Sequence, residues 1–348
     1  MTTTPPSFAA ALAAGPLVLD GGLSNQLEDA GHDLSDALWS ARLLADRPQA
    51  VTAAHLGYFL AGAEVATTAS YQASFEGFAR RGLGRAEAAR LLALSVRLAR
   101  DAAREAAALR SAGTRPTGSR PSGRGEDPAQ GGDPARGGDP AQGEAAMRGE
   151  AARPLFVAAS VGPYGAVLAD GSEYRGRYGL GRAALERFHR PRLEVLAAAG
   201  PDVLAVETIP DVVEAEAVLA AVEGLGVPVW LSFGAAGDRT RAGQPLAEAF
   251  ALAADVDAVV AVGVNCCTPA DADRAVALAA EVTGKPVVVY PNSGERWDAA
   301  ARGWRGAPAF RPARVAGWLA AGARLVGGCC RVGEQEIADV ARAVHGAD

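Results

Sequence analysis

Eight short apolar segments, separated by helical patterns, constrain the fold of this chain more than any other feature. Each is rich in Val, Leu and Ile and is bounded by turn residues. They lie at residues 16–21, 64–70, 155–162, 202–208, 228–234, 258–266, 286–292 and 324–330. Continuous apolar runs of this kind are typical of parallel strands that are covered on both faces. Eight successive β-α units predict an α/β protein, namely a (β/α)8 TIM-type barrel.

The main alternative to a closed barrel is an open, doubly wound sheet. Its dinucleotide-binding version needs a G-x-G-x-x-G motif directly after a strand, and no predicted strand is followed by one. Barrels routinely exceed ~250 residues as one unit. We therefore expect the 348 residues to form a single barrel domain, 1–348.

One internal segment, 111–153, differs from the rest of the chain in composition. It consists mainly of Gly, Pro, Asp, Ala and Arg, and a DPAQG or DPARG repeat begins at Asp127, Asp133 and Asp139. A segment with so few apolar residues cannot bury enough surface to offset the entropy that is lost on ordering. We interpret it as a disordered surface insertion within the barrel.

Charge and hydropathy narrow the class of partner. The formal net charge is −6 and the isoelectric point is about 5.4, which argues against a nucleic-acid-binding surface. No apolar run reaches the ~18 residues of a membrane span. The amino terminus has no positive charge ahead of its apolar stretch, unlike a signal peptide. We expect a cytoplasmic protein that acts on small molecules.

All four cysteines lie at the carboxyl ends of predicted strands. Cys266 and Cys267 follow the sixth strand, and Cys329 and Cys330 follow the eighth. In a reducing compartment, clustered cysteines favour a metal site or catalysis over disulfides, and adjacent cysteines seldom bridge each other. The reactive residues of such barrels lie at this rim. The pairs are therefore predicted to converge on a metal ion.

Zinc suits such a cluster, because it accepts thiolates at about 2.3 Å. Three protein ligands leave a fourth position open, as in catalytic sites, whereas four would close a structural site. Consecutive strand residues point to opposite faces, which favours three ligands, although a turn at the strand end relaxes that rule. The four histidines, at 32, 55, 189 and 345, lie in or beside predicted helices and are interpreted as packing or surface residues.

The ligand type predicts the chemistry. Zinc bound by three thiolates is negatively charged, so it is poorly suited to producing hydroxide and better suited to binding a substrate thiol. A free thiol has a pKa of about 8.5 and is mostly protonated at neutral pH. Binding to the metal removes that proton. The cysteines therefore favour alkylation of a substrate thiolate.

Motifs along nearly the whole chain, 111–153 excepted, resemble the homocysteine S-methyltransferase family. The specific signal is GVNC at 263–266 paired with GGCCR at 327–331. Supporting stretches lie at 19–31, 38–44, 61–74, 160–166, 207–219 and 290–298. The resemblance implies a (β/α)8 barrel that binds zinc through three cysteines. It also implies that the sulfur of homocysteine becomes the fourth ligand and accepts a methyl group to give methionine.

The resemblance assigns the zinc ligands residue by residue, to Cys266, Cys329 and Cys330. Cys267 is not required by the family pattern. It is either a spare thiol or a competitor of Cys266, and we favour Cys266 as the ligand. The NSGE segment at 292–295 also matches the family, but the sequence assigns it no role.

The resemblance also implies which residues hold the amino-acid part of homocysteine. These are Asp20 and Gly21 after the first strand and Glu207 at the end of the fourth. A carboxylate suits the ammonium group of the substrate, and backbone N–H groups suit its carboxylate. The structural alternatives are a turn cap for Asp20 and a position beside a helix N-cap for Glu207.

Members of the family use betaine, S-methylmethionine or S-adenosylmethionine, or methyl-folate with cobalamin. The cobalamin route normally needs additional domains. The stretches at 38–44, 68–74 and 290–298 are closer to members that use S-methylmethionine. Aromatic rings can bind such a sulfonium cation, and the candidates are Tyr71, Tyr164, Trp297 and Trp304. Betaine as donor, and another thiol or a selenol as acceptor, are the alternatives.

Two readings of other classes stay open. Gly327 and Gly328 could form the phosphate site of a phosphosugar or aldolase-type enzyme. Lys285, the only lysine, precedes the seventh strand and so lies at the wrong end for such chemistry. A zinc or thiol sensor without catalysis, with 111–153 contacting a partner, is the non-enzyme alternative. The sequence predicts no oligomeric state.

Overall fold

A computed structural model describes residues 5–35, 38, 40–112, 153–298 and 303–346, with the backbone alone at 296–298, 303 and 304. The strands of this part are β1 (Leu17–Val18), β2 (Val65–Thr67), β3 (Phe156–Val161), β4 (Val203–Ile209), β5 (Val229–Ala236), β6 (Arg239–Thr240), β7 (Val259–Asn265), β8 (Val287–Tyr290), β9 (Arg296–Asp298), β10 (Gly303–Arg305) and β11 (Ala323–Val326). Each of the eight predicted strands corresponds to one parallel strand. The three not predicted are β6, which pairs antiparallel with β5, and the hairpin β9–β10.

The eight parallel strands close into a barrel. Their order is β1-β11-β8-β7-β5-β4-β3-β2, and the two ends of that series meet through a bridge between Leu19 and Val65. Two backbone hydrogen bonds accompany this bridge, from Asp20 N–H to Val65 O (3.0 Å) and from Glu64 N–H to Val18 O (2.8 Å). The predicted (β/α)8 TIM-type barrel is confirmed.

The described helices cover the outside of the barrel or its ends. They are α1 (Phe8–Ala14), α2 (Leu23–Asp29), α3 (Ser40–Asp46), α4 (Pro48–Leu60), α5 (Phe75–Arg80), α6 (Arg85–Ser111), α7 (Tyr164–Leu168), α8 (Arg182–Ala198), α9 (Val212–Val222), α10 (Leu246–Ala251), α11 (Pro269–Thr283), α12 (Ala313–Ala320) and α13 (Glu334–His345). Among the described residues, no helix is long and apolar enough to cross a bilayer.

Side chains fill the barrel interior from its amino end to its rim. Phe8 of α1 packs edge-on against Phe156 at the start of β3, with ring centroids 5.5 Å apart. Above it, Trp230 is fully buried, and its indole N–H donates to the hydroxyl of Tyr290 (3.2 Å). Helix α1 therefore closes the amino end, and Tyr290 links the packed interior to the rim above.

The two described borders of the insertion lie at the amino end of the barrel. Helix α6 ends at Ser111, so it includes the first residue of the insertion predicted at 111–153. Arg110 donates to the carbonyl of Ala63 (3.4 Å), and Arg153 forms an ion pair with Glu64 (3.8 Å). Residues 113–152 of the predicted insertion lie outside the described part of the chain. Its borders are at the end opposite the cysteines.

Candidate active site

Three cysteine sulfurs converge at the carboxyl end of the barrel. Cys266 directly follows β7, and Cys329 and Cys330 follow β11. The three sulfurs lie within 4.8 Å of one another, and those of Cys329 and Cys330 are 3.9 Å apart. Sulfurs on a tetrahedral metal with 2.3 Å bonds are roughly 3.8 Å apart. The three cysteines are a candidate metal site whose spacing fits such an ion.

Cys267 faces away from this cluster. Its side chain is buried in the apolar layer between strands and helices, and this burial raises the pKa of the thiol to about 12. Cys266 adopts a left-handed backbone conformation, with φ +47°, so the chain turns between the two residues. Among the described residues, the candidate metal-ligand group therefore contains Cys266 and not Cys267.

Hydrogen bonds among the three thiols favour the ionised form of one of them. Hydrogen bonds from Cys266 and Cys329 hold the pKa of Cys330 well below its usual value. Hydrogen bonds with Cys266 and Cys330 hold the pKa of Cys329 well above its usual value. A cluster that stabilises one thiolate in this way favours a cation at its centre.

The NSGE segment supports Cys330 from the neighbouring strand end. Asn292 Oδ1 accepts a hydrogen bond from the N–H of Cys330 (3.1 Å), and Asn292 N–H donates to Cys267 O (2.9 Å). Ser293 N–H donates to Cys330 O (3.0 Å). The segment thus joins the two cysteine loops, a role that its sequence did not reveal because each partner is remote along the chain.

Asn265, the residue before Cys266, fixes another part of the rim. Its Oδ1 accepts from the N–H of Thr208 (2.8 Å) and from the hydroxyl of Ser232 (2.7 Å), and its Nδ2 donates to Thr208 Oγ1 (2.7 Å). Thr208 has a φ of +59°, which is rare for a β-branched residue. Asn265 therefore holds a strained backbone position next to Glu207.

Two buried carboxyl groups lie beside the cysteines. Glu207 accepts hydrogen bonds from Ser160 Oγ and from the hydroxyl of Tyr290 (2.9 Å). Burial raises its pKa to about 7, although both hydrogen bonds oppose the shift, and the charge of Cys330 contributes a smaller rise. Glu207 and the cluster therefore belong to one electrostatic site.

Asp20 is the second of these carboxyl groups. It accepts from the N–H (2.7 Å) and the hydroxyl (2.8 Å) of Thr67. Burial raises its pKa to about 8, against both hydrogen bonds, and Glu207 raises it further. Two carboxyl groups that are this hard to ionise are suited to a cationic partner, which would restore their charge.

Glycines permit the close approach of the first strand to the second cysteine loop. A Cβ at Gly21 would lie 2.2 Å from the carbonyl oxygen of Val332, and one at Gly327 would lie 2.6 Å from Leu19 Cβ. A Cβ at Gly328 would lie 2.1 Å from Val332 Cγ1. These contacts explain the glycines at 327 and 328 by packing, without a phosphate.

The aromatic candidates separate into different environments. The charges of Cys266 and then Tyr174 add to the effect of burial in raising the pKa of Tyr71, so this phenol lies at the rim. Tyr164 instead packs edge-on against Tyr178 and Phe188, at 5.3 and 5.0 Å between centroids. The side chains of Trp297 and Trp304 lie outside the described residues. Tyr174 was missed in the sequence, where only its place in a polar loop after β3 could have indicated it.

Lys285 and His189 have structural contacts. Lys285 Nζ donates to the carbonyls of Val256 (2.9 Å) and Val259 (2.8 Å) at the amino end of the barrel. His189 is buried against Glu214 (2.8 Å), and burial lowers its pKa to about 4. Neither residue is near the cysteines in the structure, as expected.

Fold and site together define a (β/α)8 barrel with a three-cysteine candidate metal site and two buried carboxyl groups at its catalytic rim. The homocysteine S-methyltransferase family model matches residues 17–344, and the chain belongs to this family. It is 42% identical over 347 residues to homocysteine S-methyltransferase 4 of Zea mays, covering 97% of this chain and 91% of that protein.

Two bacterial proteins are also similar to this chain over nearly its whole length. The homocysteine S-methyltransferase YbgG of Bacillus subtilis is 39% identical, covering 93% of both chains. Among solved structures, the metallated form of the homocysteine methyltransferase MmuM from Escherichia coli superimposes with a TM-score of 0.74 at 37% identity. The match covers 94% of this chain and 96% of that one. The similarity therefore extends over the whole barrel and not over one motif.

Proposed function

We propose that the protein transfers a methyl group from a sulfonium donor, S-methylmethionine or S-adenosylmethionine, to the thiol of L-homocysteine, producing methionine. The observation that carries this proposal is the convergence of Cys266, Cys329 and Cys330 at the rim of the barrel, in a chain of this family. Three sulfur ligands leave room for a substrate sulfur as the fourth.

Zinc is the metal that we propose for this site. Its preference for thiolates and its lack of redox chemistry suit three cysteines and a substrate thiol. When bound, zinc would supply a lower pKa for that thiol, so that it reacts as a thiolate at neutral pH. The chain sets the spacing of the sulfurs in two ways. Asn292 accepts a hydrogen bond from the second cysteine loop, and the backbone turns at Cys266.

Asp20, Gly21 and Glu207 are proposed to hold the amino-acid part of homocysteine. The ammonium group of the substrate would lie against the carboxyl groups, where it would compensate the burial that now raises the pKa of both. Ser160 and Tyr290 hold the Glu207 carboxyl by hydrogen bonds. Because those partners are themselves buried, the carboxyl is fixed before substrate binds, which lowers the entropic cost of orienting homocysteine.

We further propose that the chain acts as one domain in the cytoplasm, where a reducing environment keeps the three thiols available to a metal. Transfer from betaine would use the same cluster and is distinguished by the assay below. Transfer to a selenol would also use this cluster. A zinc or thiol sensor would bind the metal without turnover.

The test is methionine formation by zinc-loaded protein from homocysteine, with S-methylmethionine, S-adenosylmethionine and betaine offered separately. We expect turnover with the sulfonium donors. Cys329→Ala should lose both the metal and the activity, whereas Cys267→Ala, its matched control, should retain both. Metal bound at one equivalent without methyl transfer from any donor would contradict the proposed acceptor and favour the sensor.

A further inference from the structure

A short turn after β3 places an acid and an aromatic ring beside the cysteine cluster. Residues Ser172–Tyr174 form a 3-10 turn that follows α7. Asp170 Oδ1 accepts from the N–H of Ser172 (2.9 Å), and a Cβ at Gly165 would lie 2.5 Å from Glu173 N. The turn is therefore held at its start and packed tightly against α7, which fixes where its side chains point.

Glu173 has a buried carboxylate oxygen with no hydrogen-bond partner among the described residues, namely Oε2. Burial is the largest influence on this carboxyl and raises its pKa. A hydrogen bond from its own backbone N–H and the charge of Arg175 lower the pKa, and the charges of Asp170 and Cys330 raise it. A carboxylate that is removed from water without a partner costs free energy unless a cation arrives. No part of the proposed homocysteine site accounts for this group.

Tyr174 lies between the turn and the metal cluster. The residue as a whole is 42% exposed, and the guanidinium of Arg241 lies 5.6 Å from the ring centroid. Arg241 also donates to the carbonyl of Cys266 (3.1 Å). After burial, the charges of Cys266 and Cys330 are the largest causes that raise the pKa of the Tyr174 phenol. The ring is therefore next to the reacting end of the site.

Tyr71, which follows the second strand, lies near Glu173 and Tyr174. Its phenol interacts with the charges of Cys266, Tyr174 and Glu173, and its ring packs on Gly162, where a Cβ would lie 2.6 Å away. Two aromatic rings and one carboxylate with an unpartnered oxygen thus lie near the cysteine cluster, where the sulfur that accepts the methyl group would bind. Aromatic faces and a carboxylate are both attractive to a compact cation.

We infer that Glu173, Tyr174 and Tyr71 form the subsite for the methyl donor, and that Glu173 makes this subsite selective for a positively charged donor. The inference rests on the proposed function, which it deepens by naming the residues that hold the donor. Glu173 touches the donor and not homocysteine, whose ammonium group is assigned to Asp20 and Glu207.

The charge balance of the reaction predicts which kinetic constant changes most when the charge of Glu173 is removed. The thiolate sulfur of homocysteine forms a bond to the methyl carbon, and the bond from that carbon to the sulfonium sulfur breaks. The bonding electron pair stays on the donor sulfur, which becomes a neutral thioether. Because the positive charge disappears along this path, Glu173 stabilises the bound donor at least as well as the transition state. Its loss should therefore raise the donor KM more than it lowers kcat.

The experiment compares Glu173→Gln with the wild type in zinc-loaded protein. We expect a rise of roughly tenfold or more in KM for S-methylmethionine, the loss of about one charge-assisted contact, with the KM for homocysteine and the metal content unchanged. Glu248→Gln, the same substitution on the exposed face of α10, is the control and should leave every constant unchanged. Tyr174→Phe, which keeps the ring, should affect the donor KM less than Tyr174→Ala.

Direct binding separates this inference from the proposed function. S-methylmethionine is titrated into the zinc-loaded protein by calorimetry without homocysteine. Binding that is weakened by Glu173→Gln supports the subsite even if no methyl reaches homocysteine, a result that would overturn the proposed acceptor alone. An unchanged donor affinity in Glu173→Gln, an equal rise in both KM values, or no binding of the sulfonium compound to wild-type protein would overturn the subsite. If Glu173→Gln does not fold, Glu173→Ala removes the same charge and provides the same comparison.

Discussion

At the scale of single residues, two strained backbone positions lie beside the groups that carry the chemistry. Thr208 and Cys266 both have left-handed backbones, and such positions cost of order 1–3 kcal/mol when the residue is not glycine. Asn265 compensates this cost through its two hydrogen bonds with Thr208. Because Asn265 also precedes Cys266, one side chain orders the carboxyl at Glu207 and a cysteine of the cluster together.

Replacing Asn265 by Ala should therefore cost stability as well as activity. The substitution leaves buried donors and acceptors unsatisfied, and we expect the free energy of unfolding to fall by about 1–3 kcal/mol. Urea denaturation of the metal-free protein measures this change. Ser232→Ala, which removes a single hydrogen bond to Asn265, should cost less. Equal losses in the two variants would contradict a special role for Asn265.

The buried carboxyl groups predict an unusual dependence of stability on pH. The pKa of Asp20 is raised from 3.8 to about 8 in the folded protein, so its folded state holds the proton more tightly than its unfolded state. Its contribution to stability is full below the unfolded pKa and is lost as pH rises through about 8. The free energy of unfolding of the metal-free protein should therefore fall between pH 5.5 and 8.

Urea denaturation at the two pH values measures this dependence. Asp20→Asn removes the titrating group while keeping an oxygen that can accept from Thr67, and it should reduce the fall. Glu207, with its pKa raised to about 7, contributes with the same sign and should leave a residual dependence in that variant. A pH dependence identical to that of the wild type would show that Asp20 is not protonated in the folded protein.

At the scale of elements, neighbouring strands support one another's functional ends. Gly263 of β7 is so close to β8 that a Cβ there would lie 1.8 Å from Val288 O. This contact explains the glycine of the GVNC motif as a packing requirement. Beyond β8, the 292–295 segment holds both cysteine loops through Asn292 and Ser293. The ends of β7, β8 and β11 therefore form one structural unit that is joined by packing and hydrogen bonds.

Asn292→Ala tests this unit by metal affinity. The substitution removes the acceptor for Cys330 N–H, and outer contacts of this kind typically contribute about 10–100-fold to metal affinity. Competition with a chromophoric chelator measures the change. Ser293→Ala is the matched control, because it removes a hydroxyl that contacts Glu295 but keeps the backbone bond to Cys330. Similar affinities in both variants would contradict the role of Asn292.

At the scale of the whole molecule, the cysteines and the borders of the insertion lie at opposite ends of the barrel. Arg110 and Arg153, on either side of 113–152, both contact the region around Ala63 and Glu64 at the amino ends of β2 and β3. In barrels of this kind the amino end contributes to stability and the carboxyl end to catalysis. The insertion is therefore expected to be dispensable for the site.

Replacing residues 113–152 by a short Gly-Ser linker should leave the metal content and the KM for both substrates unchanged. The physical reason is that the contacts on both borders are retained. Metal analysis and steady-state kinetics of the shortened protein check this expectation, and a variant that also carries Arg153→Ala reports whether the border contact with Glu64 matters. A large change in either KM in the first variant would show that the insertion reaches the rim.

The fold could be predicted from the sequence because each barrel strand is a local apolar run, and the three converging cysteines because strand ends share a rim. Other features depend on contacts between residues that are distant along the chain. The sequence did not reveal the hydrogen bonds of Asn265 to Thr208 or of Asn292 to Cys330, since the partners lie on different strands. The position of Glu173 beside the cluster depends on how one turn packs on Gly165, which no local pattern indicates.

The central claim is that homocysteine adds its sulfur to a metal held by Cys266, Cys329 and Cys330. X-ray absorption spectroscopy at the zinc edge, on protein with and without homocysteine, tests this claim most directly. We predict three sulfur neighbours at about 2.3 Å without substrate and four with it, and fewer than three in Cys329→Ala. Four sulfurs before homocysteine is added, or an unchanged shell afterwards, would contradict the account.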